Sequence, residues 1–272
     1  MKKKFLIGIT VTAVIILAVL AVICLNKGKV EKDSLDRILS KKTFILGLDD
    51  SFPPMGFRND DNEIVGFDID VAKEVCSRLG VDLVLQPISW TAKEQELNSY
   101  NIDCIWNGMS VSDERKEKMT LSVPYLKNSM SFVVKENSNI KNVDNLKQKK
   151  IGVQAGSTAE EILMDSDLYN KFEKVITYQD NITAFMDLEI NQIDSVFLDN
   201  VVANYYITEN TKPYIVLEES LEDEEYAIGF RKQDTSLCEK INEILIEMKK
   251  DGSLGKISEK WFGKDNTIIK EK

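Results

Sequence analysis

Residues 43–88 read TFILGLDDSFPPMGFRNDDNEIVGFDIDVAKEVCSRLGVDLVLQPI, and this stretch combines a strand, a helix and a second strand. TFILGL (43–48) is a short apolar run typical of a buried strand. DVAKEVCSRLG (70–80) carries apolar residues at helical spacing and ends on a glycine, a natural helix stop. VDLVLQPI (81–88) follows as the next strand. A strand, helix and strand in this order predict parallel strands of an α/β sheet.

The same alternation continues along the chain. Strands are predicted at residues 102–108, 131–136, 149–154, 193–198 and 226–232. Helices are predicted at residues 159–166, 181–192 and 236–252. The ligand-binding loops of such sheets follow the carboxyl ends of the strands. We therefore expect a ligand site in the loops after Leu48, Ile88, Trp106, Val153 and Phe197.

Composition excludes several kinds of function. The chain carries a net charge of −10 and no histidine, which argues against nucleic acid as a partner and excludes histidine-based catalysis and zinc sites. None of the four cysteines forms a CxxC pair, so neither a metal site nor a cofactor is predicted. We expect Cys76, Cys104 and Cys238 to be small buried apolar residues, with a disulfide among them left open.

The N-terminus predicts export. Three lysines precede FLIGITVTAVIILAVLAVICL (5–25), an uncharged run long enough to span a bilayer core. LAVIC resembles a lipoprotein cleavage box in which Cys24 would be lipidated, although Ile23 stands where that box has a small residue. Residues 1–25 are thus a signal peptide or an uncleaved membrane anchor. Residues 26–42 are a polar linker, and the body lies outside the membrane in either case.

Three loops carry residues suited to a small zwitterion. In the loop IWNGMSVSDERKEK (105–118), Gly108 lets the backbone approach a ligand and Arg115 can hold a carboxylate with two parallel hydrogen bonds. A solvated helix charge is the alternative for Arg115. The turn Ser157–Thr158 offers free N–H groups to an anion, and Thr158 and Glu161 have capping-box spacing. Asp199, after a strand, can receive an ammonium group or simply cap a helix.

Two aromatic residues complete the set. Phe52, in a loop with two prolines, and Trp90, after a strand, are either core residues or walls of a ligand site. Carboxylate-binding groups, an ammonium-binding carboxylate and aromatic walls are together what a free α-amino acid requires, because both of its charges must be paired if buried.

The order of these motifs resembles the bacterial extracellular solute-binding proteins of family 3, which bind amino acids for ABC importers. The resemblance covers residues 43–266 and rests on LDDSFPPMGF, VGFDIDVAKEV, NGMSVSDERKEKMTLSVPY, GVQAGSTAEE and DGSLGKISEKWFG. It implies an α/β, two-lobed fold of the periplasmic-binding-protein type II kind with two hinge crossovers, near residues 128–131 and 222–226. The first lobe would comprise residues 43–127 and 226–266, and the second lobe residues 128–225.

The resemblance also implies a ligand-binding set. It comprises Asp49, Phe52, Trp90, Asn107, Gly108, Met109, Ser110, Arg115, Gln154, Ser157, Thr158 and Asp199. Arg115 and the Ser157–Thr158 turn would hold the carboxylate and Asp199 the ammonium group, while Phe52 and Trp90 would enclose the side chain. The implied ligand is a polar or neutral amino acid such as glutamine or cystine, with a basic one left open.

The expected partners are a free amino acid and a membrane permease, with the protein itself a monomer. Two alternatives remain at this stage. One is an exported enzyme on the same scaffold, similar to dehydratases, which would need Glu94 or Glu160 as its general acid. The other is an extracellular sensor domain, for which the sequence shows no output domain after Gly263.

Overall fold

The computed structural model describes residues 34–209 and 212–270. The predicted signal or anchor (1–25) and the cleavage site at Cys24 lie outside these ranges. Within them, no helix has both the length and the apolar character needed to cross a membrane.

The described chain alternates strands and helices, as predicted. The strands are β1 (Thr43–Leu48), β2 (Ser51–Phe52), β3 (Gly56–Arg58), β4 (Ile64–Val65), β5 (Asp82–Pro87), β6 (Cys104–Ile105), β7 (Met119–Leu121), β8 (Leu126–Lys135), β9 (Lys150–Gln154), β10 (Lys174–Tyr178), β11 (Ser195–Asp199), β12 (Tyr214–Tyr226) and β13 (Gly229–Arg231). The helices are α1 (Ser34–Lys41), α2 (Phe67–Leu79), α3 (Lys93–Asn98), α4 (Asp113–Lys118), α5 (Thr158–Asp165), α6 (Asn181–Glu189), α7 (Asn200–Glu209), α8 (Thr235–Lys250) and α9 (Ser253–Phe262).

The first lobe is built on a sheet with strand order β5-β1-β6-β13-β7. Strand β1 is parallel to β5 and β6, as the alternating pattern predicts. Strand β13 is antiparallel to β6 and β7, so the prediction of wholly parallel sheets is wrong. The reason is connectivity: β13 returns from the second lobe and enters the sheet from the opposite end.

The second lobe is built on a sheet with strand order β10-β9-β11-β8-β12. Strand β9 is parallel to β10 and β11, whereas β8 is antiparallel to β11 and β12. Strand β8 arrives from the first lobe, which again sets the opposite direction. The carboxyl ends of β9 and β11, at Gln154 and Asp199, therefore lie at one edge of this sheet.

Two antiparallel strands connect the lobes. Strands β8 and β12 pair from Leu126 opposite Tyr226 to Lys135 opposite Tyr214, with register shifts between Val216 and Glu222. Tyr226 also forms an isolated bridge with Ser110 of the first lobe. The crossovers predicted near residues 128–131 and 222–226 fall on this ladder, and we propose that it is the hinge.

Residues 34–41 correct the prediction of a polar linker over residues 26–42. They form helix α1, in which Ile38 is fully buried and Ser34 Oγ donates to Asp234 Oδ1 at 2.6 Å. Arg37 pairs with buried Asp103. In SLDRILSK the apolar residues recur at helical spacing on one face, so this segment is a folded part of the first lobe.

The three cysteines of the body, Cys76, Cys104 and Cys238, are buried and free. Burial raises the pKa of Cys76 to about 12 and that of Cys238 to about 11. They therefore contribute apolar packing as neutral thiols rather than reactive thiolates.

Candidate functional site

A pocket of about 290 Å³ of empty space lies between the two lobes. Eleven of the twelve predicted ligand-binding residues line it, together with Met130. The lining residues are Asp49, Phe52, Trp90, Asn107, Gly108, Ser110, Arg115, Met130, Gln154, Ser157, Thr158 and Asp199. Both lobes contribute, and they touch here, since Gln154 Nε2 donates to Asp49 Oδ2 at 2.6 Å.

Met109 is the predicted residue that the structure does not bring to the pocket. Its side chain is fully buried in the first lobe and packs so closely on Gly229 that an added Cβ there would meet Met109 Cε at 2.7 Å. Gly108 and Ser110, on either side of it, line the pocket, whereas the Met109 side chain points into the core of the first lobe.

Met130 is the pocket residue that the sequence analysis missed. It lies in β8 directly opposite Asp199 in the strand register. The predicted strand began at residue 131, whereas β8 begins at Leu126. A longer predicted strand would have included Met130, but only the pairing of β8 with β11 places it beside Asp199.

Arg115 is buried, with 3% of its surface exposed. Ser112 caps helix α4 and accepts a hydrogen bond from the Arg115 N–H at 3.2 Å, and Arg115 Nη1 donates to Ser110 O at 2.8 Å. In the described ranges no carboxylate lies within ion-pair distance of its guanidinium group. Burial lowers the pKa of Arg115. The structure thus rejects the solvated helix charge and presents a buried cation at the pocket wall.

The turn before helix α5 has a capping box one residue earlier than predicted. Ser157 Oγ accepts from the Glu160 N–H at 3.1 Å, and Glu160 Oε2 accepts from the Gly156 N–H at 2.6 Å. The box is therefore Ser157 with Glu160, not Thr158 with Glu161, because the helix begins one residue sooner. Thr158 Oγ1 is left buried and, within the described part of the chain, without a hydrogen-bond partner.

Asp199, at the carboxyl end of β11, is 5% exposed. Its Oδ1 accepts from Tyr226 Oη at 2.6 Å and from Asn128 Nδ2 at 2.8 Å. Burial raises the pKa of this carboxyl to about 6. One residue of β8 and one of β12 thus fix a carboxylate at the pocket wall of the second lobe.

Glu224 is a second buried acid beside Asp199, and the sequence analysis missed it. Glu224 Oε2 accepts from Ser110 Oγ at 3.0 Å and from Asn128 Nδ2 at 3.1 Å. Burial, followed by the charge of Asp199, raises the pKa of Glu224 to about 7. The run LEDEEY (221–226) has no apolar alternation, so only the pairing of β8 and β12 reveals that Glu224 faces inward.

The far end of the pocket is formed around Asp49, which is 9% exposed. Asp49 Oδ1 accepts from Ser51 Oγ at 2.5 Å, while Oδ2 accepts from Gln154. No cation pairs with it in the residues that the structure covers. Desolvation by burial raises the pKa of this carboxyl.

The aromatic walls Phe52 and Trp90 are 6% and 7% exposed and both face the pocket. Gly108 has a φ of +57°, and a Cβ there would lie 2.8 Å from Phe52 Cε1. The glycine is therefore required both by the backbone conformation and by the approach of Phe52.

Comparisons with known proteins find similar sequences and structures over most of the chain. The family model of the bacterial extracellular solute-binding proteins, family 3, matches residues 44–264. The L-cystine-binding protein TcyJ of Escherichia coli K12 is 33% identical and covers 89% of this chain and 90% of its own. ABC transporter arginine-binding protein 1 of the same organism is 30% identical and covers 80% and 89%. A Streptococcus pneumoniae ABC uptake transporter substrate-binding protein with bound histidine superposes with a TM-score of 0.85 at 38% identity, covering 88% of this chain and 99% of that one.

Proposed function

This chain belongs to the bacterial extracellular solute-binding proteins of family 3, and we propose that it binds a free L-amino acid between its lobes for an ABC importer. One observation carries the proposal. A single pocket brings together a buried guanidinium group from the first lobe, Arg115, and a buried carboxylate from the second, Asp199. An α-amino acid supplies the opposite charge for each of them.

The α-carboxylate is held at the Arg115 end. The guanidinium group donates one hydrogen bond to Ser110 O. Its remaining N–H groups can form two parallel hydrogen bonds to a carboxylate. From the other lobe, the unpartnered Thr158 hydroxyl and the first N–H groups of α5 supply further donors. Contacts from both lobes to one carboxylate favour closure.

The α-ammonium group is held by Asp199. This carboxylate already accepts from Tyr226 and Asn128, and an ionised carboxylate has about four acceptor positions. An ammonium group at the remaining positions stabilises the ionised form of Asp199, whose burial otherwise disfavours its charge.

The ligand side chain ends on a positive group. Asp49 is a buried carboxylate with no cationic partner among the described residues, and an unpaired buried charge is costly. The similar proteins are named for cystine or arginine, or contain bound histidine. Each of these amino acids has, at the end of its side chain, a group that carries or can take a positive charge. We therefore narrow the ligand from polar or neutral amino acids to those with such a group.

We propose binding without turnover. The enzyme alternative rested on Glu94 or Glu160 as general acid, and both are engaged outside the pocket. Glu160 accepts the Gly156 N–H at 2.6 Å, and Glu94 lies 3.5 Å from the Lys118 ammonium. Neither lines the pocket.

Delivery to an ABC importer requires a protein on the outer side of the cytoplasmic membrane. We propose that a monomer is held there by lipidated Cys24 or by an uncleaved anchor over residues 5–25, and that it docks on a permease. The mass of the native protein made with and without an inhibitor of lipoprotein signal peptidase separates the two tethers. A lipoprotein should keep residues 1–23 only under the inhibitor, whereas an uncleaved anchor should give the same mass in both cases.

A thermal-shift panel tests the binding function. The ligand-stripped protein is heated with each common L-amino acid and with L-cystine, because a bound ligand raises the unfolding temperature by mass action. We expect shifts with members that carry a distal positive group and a smaller or absent shift with glutamine. A folded protein that responds to no member of the panel would overturn the proposal.

A further inference from the structure

Lys93 is a nearly buried lysine that lies outside the pocket lining. It is the first residue of α3, follows the turn containing Trp90, and is 6% exposed. Lysine is rarely buried without compensation for its charge. The groups around its ammonium group should therefore explain why the lysine can be buried.

The compensation comes from backbone carbonyls and an aromatic face. Lys93 Nζ donates to Gly156 O at 2.9 Å and to Trp90 O at 3.3 Å, and it lies 5.1 Å from the centroid of the Trp90 ring. In the described part of the chain, no carboxylate lies within ion-pair distance of it. Burial, followed by the charge of Arg115, lowers the pKa of Lys93 to about 8.

The two carbonyls belong to different lobes. Trp90 is an aromatic wall of the first lobe, and Gly156 immediately precedes the Ser157–Thr158 turn of the second. Gly156 packs closely against the first lobe, since a Cβ on it would lie 3.3 Å from Thr91 Cγ2. A bond from Lys93 to Gly156 therefore exists only while the lobes are together.

We propose that Lys93 is a closure residue, which holds the carboxylate-binding turn of the second lobe against the first lobe while the amino acid is bound. The inference rests on the proposed function. Lys93 contacts the second lobe in the closed protein and leaves the open pocket unchanged. Its removal should therefore speed ligand release without slowing capture, and to the same extent for every ligand side chain.

Retention of a labelled ligand mixture tests this inference on the full chain. The protein is loaded with a ¹⁴C-labelled mixture of the common L-amino acids plus L-cystine, then chased with the unlabelled mixture and filtered at intervals. Hydrogen bonds from charged groups are worth enough that Lys93→Met should release label about tenfold faster. Uptake of label by the empty protein should stay within about twofold of the original rate.

Lys116→Met is the matched control. Lys116 also lies on the first lobe near the cleft, but among the described residues its ammonium group pairs only with Asp113 of its own helix, at 2.8 Å. It should release label at the original rate. The unfolding temperature of each ligand-free variant reports folding, and Lys93→Leu serves as a second apolar variant if Lys93→Met does not fold.

The outcomes separate the two proposals. Faster release from the Lys93 variants alone is the expected result. Original release rates in those variants, or slower uptake with unchanged release, overturn the role of Lys93 while leaving amino-acid binding intact. Failure of the unsubstituted protein to take up label overturns the proposed function, and the inference with it.

Discussion

At the scale of single residues, the pocket is defined by charges that the protein leaves without ionic partners. Arg115 and Asp49 are both nearly buried, and neither forms an ion pair within the described residues. Such groups destabilise a folded protein unless hydrogen bonds or a ligand compensate them. The protein thus keeps them at a cost in stability that ligand binding offsets.

Replacing Arg115 removes the proposed carboxylate contact. We expect Arg115→Ala to weaken amino-acid binding at least about 30-fold, because loss of one partner of a buried charge pair costs about 2–5 kcal/mol. Calorimetric titration measures the change. Lys116→Ala, which removes an exposed charge one residue away, is the control, and equal affinity in both variants would refute the role of Arg115.

Replacing Asp49 changes selectivity rather than binding as such. Asp49→Asn keeps the side-chain volume and removes the charge, so affinity for L-arginine should fall about 10-fold or more while affinity for L-glutamine holds or rises. Asp50→Asn is the adjacent control, since Asp50 pairs with Arg58 at 2.6 Å on the exposed hairpin. Equal losses for both ligands would contradict a side-chain role for Asp49.

The residue roles could be predicted only in part from the sequence. Arg115 and Asp199 follow strands, and their motif order places them together without coordinates. Met130 and Glu224 could not be found in this way. The pairing of β8 with β11 places Met130 beside Asp199, and the pairing of β8 with β12 buries Glu224. Met109 was placed wrongly because a sequence motif does not show which of three consecutive residues faces the pocket and which faces the core.

At the scale of secondary structure, helix α1 shows how a short polar segment becomes part of a lobe. Besides burying Ile38, it joins a network in which Arg231, fully buried, lies 2.7 Å from Asp234 and 3.6 Å from Asp103. The segment was predicted as part of a linker because residues 26–42 as a whole are mostly polar. The segment is helical because it packs on the rest of the lobe. A sequence pattern does not show that packing.

Truncating Ile38 tests that α1 belongs to the folded lobe. Ile38→Ala should lower the free energy of unfolding by about 2–5 kcal/mol, the range for large-to-small substitutions in a core. Urea titration measures the loss. Lys41→Ala, on an exposed position of the same helix, should change stability by less than about 0.5 kcal/mol. An unchanged Ile38→Ala protein would show that the helix is dispensable.

Some strands could be predicted from the sequence and others could not. The predicted strand over residues 43–48 coincides with β1, and those over 81–88 and 149–154 match β5 and β9 within about one residue at each end, because apolar residues in these short runs mark the strands. Strand β12 was not predicted, since much of it is acidic and it is defined by its ladder with β8. Parallel neighbours could be predicted from the alternation, whereas antiparallel ones depend on how the chain crosses between lobes.

At the scale of the whole molecule, buried acids make stability and binding respond to pH in opposite directions. Burial raises the pKa of Asp68 and of Glu224 to about 7 and that of Asp199 to about 6. Each value lies above that of the unfolded chain, so the folded state takes up these protons first and gains stability as the pH falls.

The ligand-free protein should therefore unfold at a higher temperature at pH 5.5 than at pH 8. Amino-acid affinity should fall over the same interval, because protonated Asp199 cannot pair with an ammonium group. Scanning calorimetry and titration at the two pH values measure both effects. Glu224→Gln should reduce the gain in unfolding temperature, and a midpoint that falls from pH 8 to pH 5.5 would contradict the assignment.

The two lobes are held together by contacts that involve the ligand-binding residues themselves, such as Gln154 with Asp49 at 2.6 Å. Closure and recognition are therefore one event in this molecule. In the proposed complex, the α-carboxylate and α-ammonium groups of the ligand would connect opposite lobes through Arg115, Thr158 and Asp199. Blocking either group should prevent closure as well as binding.

The most direct measurement compares one amino acid with its own derivatives. Calorimetry of the ligand-stripped protein tests both charge contacts at once. The titrants are the best ligand of the panel, its Nα-acetyl form, its α-methyl ester and its D-enantiomer. We predict binding of the free L-amino acid and a loss of at least about 100-fold for each derivative, since each leaves a buried charge unpaired or misplaced. Comparable affinity for the acetylated or esterified form would contradict the account.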